Sequence, residues 1–161
     1  MKNWTFRRWN TVLGWVVFVI AFFTYLSTIE PNFSFWDCGE FIACAFKLQV
    51  PHPAGAPFFL LLGRIASLFA FGDVTKVALM VNMISVIASA FTILFLFWTI
   101  TLLGRKFYNK TGDELSKLEA LAVVLSGLVG SLAYTFSDSF WFSAVEAEVY
   151  GLSSFFTAIV V

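Results

Sequence analysis

Asp37 and Glu40 stand three residues apart in a stretch that is otherwise mostly aromatic and apolar, Phe33-Ser34-Phe35-Trp36-Asp37-Cys38-Gly39-Glu40-Phe41. Ser34 can cap a helix that has Asp37 three residues on. On that helix Asp37, Glu40, Cys44 and Lys47 share one stripe, while Ile42, Ala45 and Phe46 turn to other sides. Read alone, Asp37 is a helix-start carboxylate that favours the positive end of the dipole. Glu40 beside it, with Phe35, Trp36 and Phe41 around the pair, makes an acidic spot among apolar groups, and ionisable groups held near lipid are costly and tend to act. Val50-Pro51-His52-Pro53-Ala54-Gly55-Ala56-Pro57 follows, a stiff, shaped turn that holds the single histidine of the chain. His52 is either an exposed loop residue or a group that contacts phosphate. The acids could help to hold a divalent cation through oxygen, but no established ligand spacing is present, so a metal stays open. Arg64 either snorkels to head groups or clamps a phosphate, whose geometry a guanidinium matches.

A second group is Ser137-Asp138-Ser139-Phe140-Trp141-Phe142-Ser143-Ala144-Val145-Glu146-Ala147-Glu148-Val149-Tyr150. Phe140, Trp141 and Phe142 suit the aromatic belt of a membrane interface. Glu146 and Glu148 follow inside apolar sequence, where a carboxylate is a functional candidate. At i, i+2 they diverge by roughly 200° and cannot face one point of a regular helix, whereas Glu146 and Tyr150 can share a face. Asn82 is expected to make an interhelical hydrogen bond. Cys38 and Cys44 are six residues apart and point to different sides of a helix, so no disulfide is expected.

The elements that carry these groups are membrane helices. Of 161 residues, 60% are hydrophobic and 12% charged, with 21 Phe and 6 Trp, against about half and about a quarter in soluble domains. Ten basic and ten acidic residues leave no net charge, so no nucleic-acid partner is expected. A spanning helix needs about 20 apolar residues, and four stretches approach that, about 11–29, 77–103, 119–136 and 140–161. The chain is thus expected to be one all-α, polytopic transmembrane domain. The first stretch is longer than a signal-peptide core and no cleavage site follows it, so it is read as a retained anchor. Lys2, Arg7 and Arg8 precede it, and Arg105, Lys106, Lys110 and Lys117 fill the loop after the second stretch. The positive-inside rule puts both in the cytoplasm. Residues 30–76 then form a long outer loop with two short helices, the second, 57–71, lying along the interface because it is too short to span. The last stretch is still apolar where the sequence stops, which suggests the N-terminal part of a longer protein.

Asp37-Cys38-Gly39-Glu40, the Pro51–Pro57 turn, Phe58–Phe71 and Gly72-Asp73 together resemble the GT-C superfamily of membrane glycosyltransferases. The stretches Phe35–Arg64 and Phe140–Leu152 are similar to a family of large membrane proteins common in Bacteroidetes. That family is related to an animal protein O-mannosyltransferase of the endoplasmic reticulum. The resemblance implies a bundle of many membrane helices with its site at the outer face, periplasmic for a bacterial inner membrane. It implies a polyprenyl-phosphate sugar donor carrying a hexose such as mannose, and a protein Ser or Thr hydroxyl as acceptor. It implies a first-loop acid as catalytic base: Asp37 by position, Glu40 second. His52, Arg64, Lys47 or a bound cation would neutralise the donor phosphate, and Glu146, Glu148 and Tyr150 would serve as substrate-binding or structural groups. Later helices and any C-terminal domain are missing from 1–161, so this stretch alone is expected to be inactive. Two other classes remain. A transporter or channel module would use the membrane carboxylates, with discontinuous helices and inverted repeats in support; neither is visible in the sequence. A non-catalytic membrane scaffold needs no ordered acidic loop.

Overall fold

The computed structural model describes residues 6–53, 55–111 and 114–160. Lys2 of the basic N-terminus and Ala54 of the Pro-rich turn lie outside the described residues. Seven α-helices follow in order: α1 Phe6–Ser27, α2 Cys38–Lys47, α3 Pro57–Leu68, α4 Val77–Phe107, α5 Lys117–Thr135, α6 Asp138–Val145 and α7 Val149–Val160, with a 3-10 turn, Val74–Lys76, leading into α4. Among the described residues there is no strand.

Helices α1, α4 and α5 are long and apolar enough to cross a membrane, and the protein is an integral membrane protein. Helix α4 has 31 residues, about 46 Å at 1.5 Å each, and every other helix packs on it. Its C-terminal turn carries Arg105 and Lys106, which complement the negative end of the helix dipole. Trp98 Nε1–H donates to the Asn10 carbonyl at 3.3 Å and Phe91 meets Phe18 at 4.7 Å between ring centroids, so α1 and α4 run antiparallel. Helix α5 starts at a capping box between Ser116 and Glu119 and runs back along α4. A Cβ on Gly127 would lie 2.7 Å from Thr101 Cγ2 and 2.9 Å from Phe97 Cε2. Close approach over small residues is how helices associate where lipid removes the hydrophobic drive between them. Gly127→Val should therefore cost about 1–3 kcal/mol through overpacking, seen as a lower thermal midpoint in detergent.

These pairings sort the groups by end. Arg105 lies over the Phe6 ring at 5.6 Å, so the basic residues of the N-terminus and of the α4–α5 connection share one end of the bundle. At the other end the Tyr25 hydroxyl donates to the Thr135 carbonyl at 3.0 Å, and residues 28–53 and 137–148 gather there. Helices α2 and α3 pack on each other where Gly63 faces Ala45, whose Cβ a new Cβ would meet at 2.7 Å. Leu61, Ile65 and Leu68 point outward from α3, as a lipid-facing helix requires.

The described spans differ from the expected ones at their ends, with α1 starting at Phe6 and α4 reaching Phe107. A larger difference concerns 140–161, expected as one helix. The chain leaves helical geometry after Val145. Glu146 is extended, at φ −133° and ψ 166°. The Val145 carbonyl is taken by the Glu30 N–H at 3.0 Å, and the Glu148 N–H closes a tight turn onto the Glu146 carbonyl at 2.8 Å. A tertiary hydrogen bond thus captures a carbonyl at the point where the helix stops. The chain does contain one discontinuous helix.

Candidate active site

Helix α2 begins at Cys38, four residues after the Ser34 expected to cap it. Ser34 Oγ is buried with no partner among the described residues, and Asp37 occupies the cap position in a helical conformation with no side-chain cap bond. The Asp37 carboxylate is therefore not consumed by the helix end. Cys38, Phe41, Cys44 and Ala45 form the buried side of α2, and Glu40 and Lys47 the exposed side. Cys44 thus leaves the stripe expected for it. Both cysteines are free, as expected.

The Pro-rich turn folds back over α2. Glu40 Oε1 accepts the His52 backbone N–H at 2.8 Å and Oε2 lies 2.9 Å from His52 Nδ1. His52 Nε2 then faces Asp37 Oδ2 at 3.8 Å. Its hydrogen bond to Glu40 pushes the His52 pKa up, and accepting that bond draws Glu40 below the usual carboxylate range. Asp37, Glu40 and His52 offer ligand atoms within 4.8 Å of one another, so these three could hold a divalent cation through two carboxylates and an imidazole.

Asn82 of α4 fixes the loop before α2. Its Nδ2 donates to the carbonyls of Glu30 at 2.8 Å and Asn32 at 2.9 Å, and Cys38 Sγ lies 4.0 Å from its Oδ1. Asn82 was expected to join two helices; it does so through Cys38 of α2, and it also ties α4 to the loop. Ser85, one turn further, donates to the Glu148 carbonyl at 3.4 Å. Asn82, Ser85 and Ser89 are buried, and this polar row at i, i+3, i+7 was a signal in the sequence that the loop anchors there.

The break between α6 and α7 delivers the second acidic group to this end. Glu146 is 1% exposed and Glu148 7%. Glu148 lies close enough for its charge to act on Asp37 and His52. The sequence argument that both acids cannot face one point holds for a regular helix, and the helix is interrupted between them. Among the described residues Glu146 Oε1 has no hydrogen-bond partner. Glu146→Gln keeps the shape and removes a buried ionisable group, so it should stabilise the fold by roughly 1 kcal/mol, seen as a higher thermal midpoint. Tyr150, expected beside Glu146, is exposed on the first turn of α7.

Two expected phosphate ligands are elsewhere. Arg64 Nη1 donates to the Phe46 carbonyl at 2.7 Å and its guanidinium lies 5.5 Å from the Phe46 ring centroid, so it binds the C-terminal turn of α2. Lys47 ends α2, about 15 Å along the helix from Asp37. Near the break, apolar cavities of about 670 and 580 Å³ flank α3 and α7, the first lined by Phe58, Phe59, Leu152 and Phe156.

The family described as Protein O-mannosyl-transferase TMEM260 N-terminal domain matches residues 37–161, beginning at Asp37 itself. Protein O-mannosyl-transferase tmem260 of Dictyostelium discoideum is 25% identical over 144 residues, covering 89% of this chain and 16% of that protein. Protein O-mannosyl-transferase TMEM260 of Mus musculus is 29% identical over 142 residues, covering 88% of this chain and 17% of that protein. The chain spans about one-sixth of the length of these relatives. No solved structure matches it. With most of its length matched, the acidic loop and the α6–α7 break included, the chain belongs to the family of the TMEM260 protein O-mannosyl-transferase N-terminal domain.

Proposed function

We propose that this chain forms the N-terminal part of a GT-C-type glycosyltransferase that moves a hexose, mannose in the first instance, from a polyprenyl-phosphate donor to a protein Ser or Thr hydroxyl. The names of the matched relatives support the reaction class. One observation carries the reading for the residues: at the end of the bundle away from Arg105, Asp37 keeps a half-exposed carboxylate without a hydrogen bond among the described residues, while Glu40 is engaged twice by His52. A hydroxyl is a poor nucleophile until its proton is taken. Asp37 takes that proton as the hydroxyl oxygen bonds to the anomeric carbon. The bond from that carbon to the phosphate oxygen breaks, and the electron pair leaves with the lipid phosphate, with inversion. The leaving group is stable as an anion and needs charge stabilisation more than a proton, unlike the leaving group of a glycosidase. With Arg64 and Lys47 directed elsewhere, that task falls to His52, held upright by Glu40, or to a cation on the same three residues. The donor tail stays in lipid beside α3, where the cavity lined by Phe58 and Phe156 suits it.

In a bacterium the reaction takes place on the periplasmic face of the inner membrane. Mass spectrometry of outer-surface proteins from a deletion strain tests the activity: loss of a protein-linked hexose is expected, and an unchanged set of glycoproteins overturns the reading. Transfer that survives a chelator assigns the phosphate to His52 without a cation. The discontinuous α6–α7 with its buried Glu146 favours a second reading, an ion-coupled transporter. Ion flux in vesicles without sugar transfer would select it.

A further inference from the structure

Trp36 stands next to Asp37, and the mechanism above leaves it without a task. Its backbone is in the left-handed region, at φ 61°. For a bulky residue that region is an outlier, which persists only where the surrounding fold imposes it. Here the fold does so on both sides: Asn82 holds the Asn32 carbonyl, and Phe41 N–H bonds the Asp37 carbonyl at 2.9 Å. The strained residue gains no packing in return. Trp36 is 86% exposed, and among the described residues no other ring stacks on it. Phe71, after α3, shares the left-handed backbone and the exposure; Trp36 differs in adjoining the candidate base.

We infer that the Trp36 indole is the stacking surface for the pyranose ring of the donor and sets which hexose is accepted. This rests on the glycosyltransferase reading. A pyranose offers one face of C–H groups and a rim of hydroxyls. The indole face is electron-rich and suits the C–H face, while Glu40 and Asp37, both exposed, are acceptors for the rim. The pairing of one flat apolar surface with a few placed polar groups is how small-ligand sites obtain orientation.

The left-handed backbone makes a clean test available. Glycine adopts φ 61° freely, so Trp36→Gly removes the ring while relieving the strain. In the full-length protein, with polyprenyl-phosphate mannose and a Ser/Thr peptide, W36G should keep or raise the thermal midpoint. Its donor KM should rise by about tenfold, the size of a lost aromatic contact, and its preference for mannose over glucose donors should narrow. Trp36→Phe should recover most of the affinity. A W36G protein with unchanged donor KM and unchanged sugar preference overturns the inference, and reduced membrane insertion with normal kinetics assigns Trp36 to the lipid interface instead. Failure of the glycosyltransferase reading is separate: wild-type protein then transfers no sugar at all.

Discussion

Asp37→Asn in the full-length protein abolishes sugar transfer while leaving membrane insertion and thermal stability near those of the wild type. The two halves of this expectation come from the same geometry. Among the described residues the Asp37 carboxylate neither caps α2 nor makes a hydrogen bond, and it faces His52 Nε2 at 3.8 Å. Replacing one oxygen by an amide therefore removes almost no stabilising contact, and exposed ion pairs contribute little. It does remove the proton acceptor. Losing a positioned general base costs about 10²–10⁴-fold in rate, enough to take a slow membrane transferase below detection. Glu40→Gln is a useful companion, since it weakens the bond that orients His52 and should give a partial loss. Measurement of transfer to a Ser/Thr peptide checks both. An Asp37→Asn enzyme that still transfers removes Asp37 from the mechanism and makes Glu40 or Glu148 the next candidate.

Asn82→Leu is expected to damage both fold and activity. Asn82 is fully buried in α4, and its amide nitrogen serves two carbonyls of the loop before α2, those of Glu30 and Asn32. Leucine fits a similar volume but leaves both acceptors without a donor. Part-buried groups deprived of their partners cost about 1–3 kcal/mol. The loop they hold leads directly to Asp37, so its release should also misplace the carboxylate. A misplacement of about 1 Å costs on the order of 10²-fold in rate. Thermal unfolding in detergent, together with hydrogen exchange over residues 30–37, reads the first effect, and transfer by the full-length protein reads the second. Unchanged exchange in that loop would show that Asn82 is not its anchor.

Much of this molecule could be read along the chain. Three of the four apolar runs read as spanning coincide with helices long enough to cross a membrane, because in lipid every backbone group must be satisfied within the segment and long apolar helices do that cheaply; the fourth run is broken into α6 and α7. The acidic loop stood out because Asp37 and Glu40 interrupt aromatic sequence. The resemblance carried by residues 35–64 and 140–152 led to the family that the chain matches. Other features were hidden. Ser34 looked like the cap of α2, but its hydroxyl is turned inward, and a cap motif says nothing of what packs over it. Arg64 was read either as snorkelling to head groups or as a phosphate clamp, because a guanidinium matches phosphate geometry. Its partner is a carbonyl eighteen residues earlier, which only the pairing of α2 with α3 brings near.

By itself the sequence determined the membrane-embedded, all-helical class, the position of the acidic loop and the family, since these depend on composition, length and local order. Tertiary structure decided which charged groups meet. The Glu30–Val145 hydrogen bond breaks the last helix, the break lets Glu148 approach Asp37 and His52, and Glu40 is occupied by His52 while Asp37 is not. Hydrogen bonds between residues far apart in the chain have no periodicity to announce them. They form only when packing brings their donors and acceptors within about 3 Å, and at this end of the bundle they separate the free carboxylate from the engaged one.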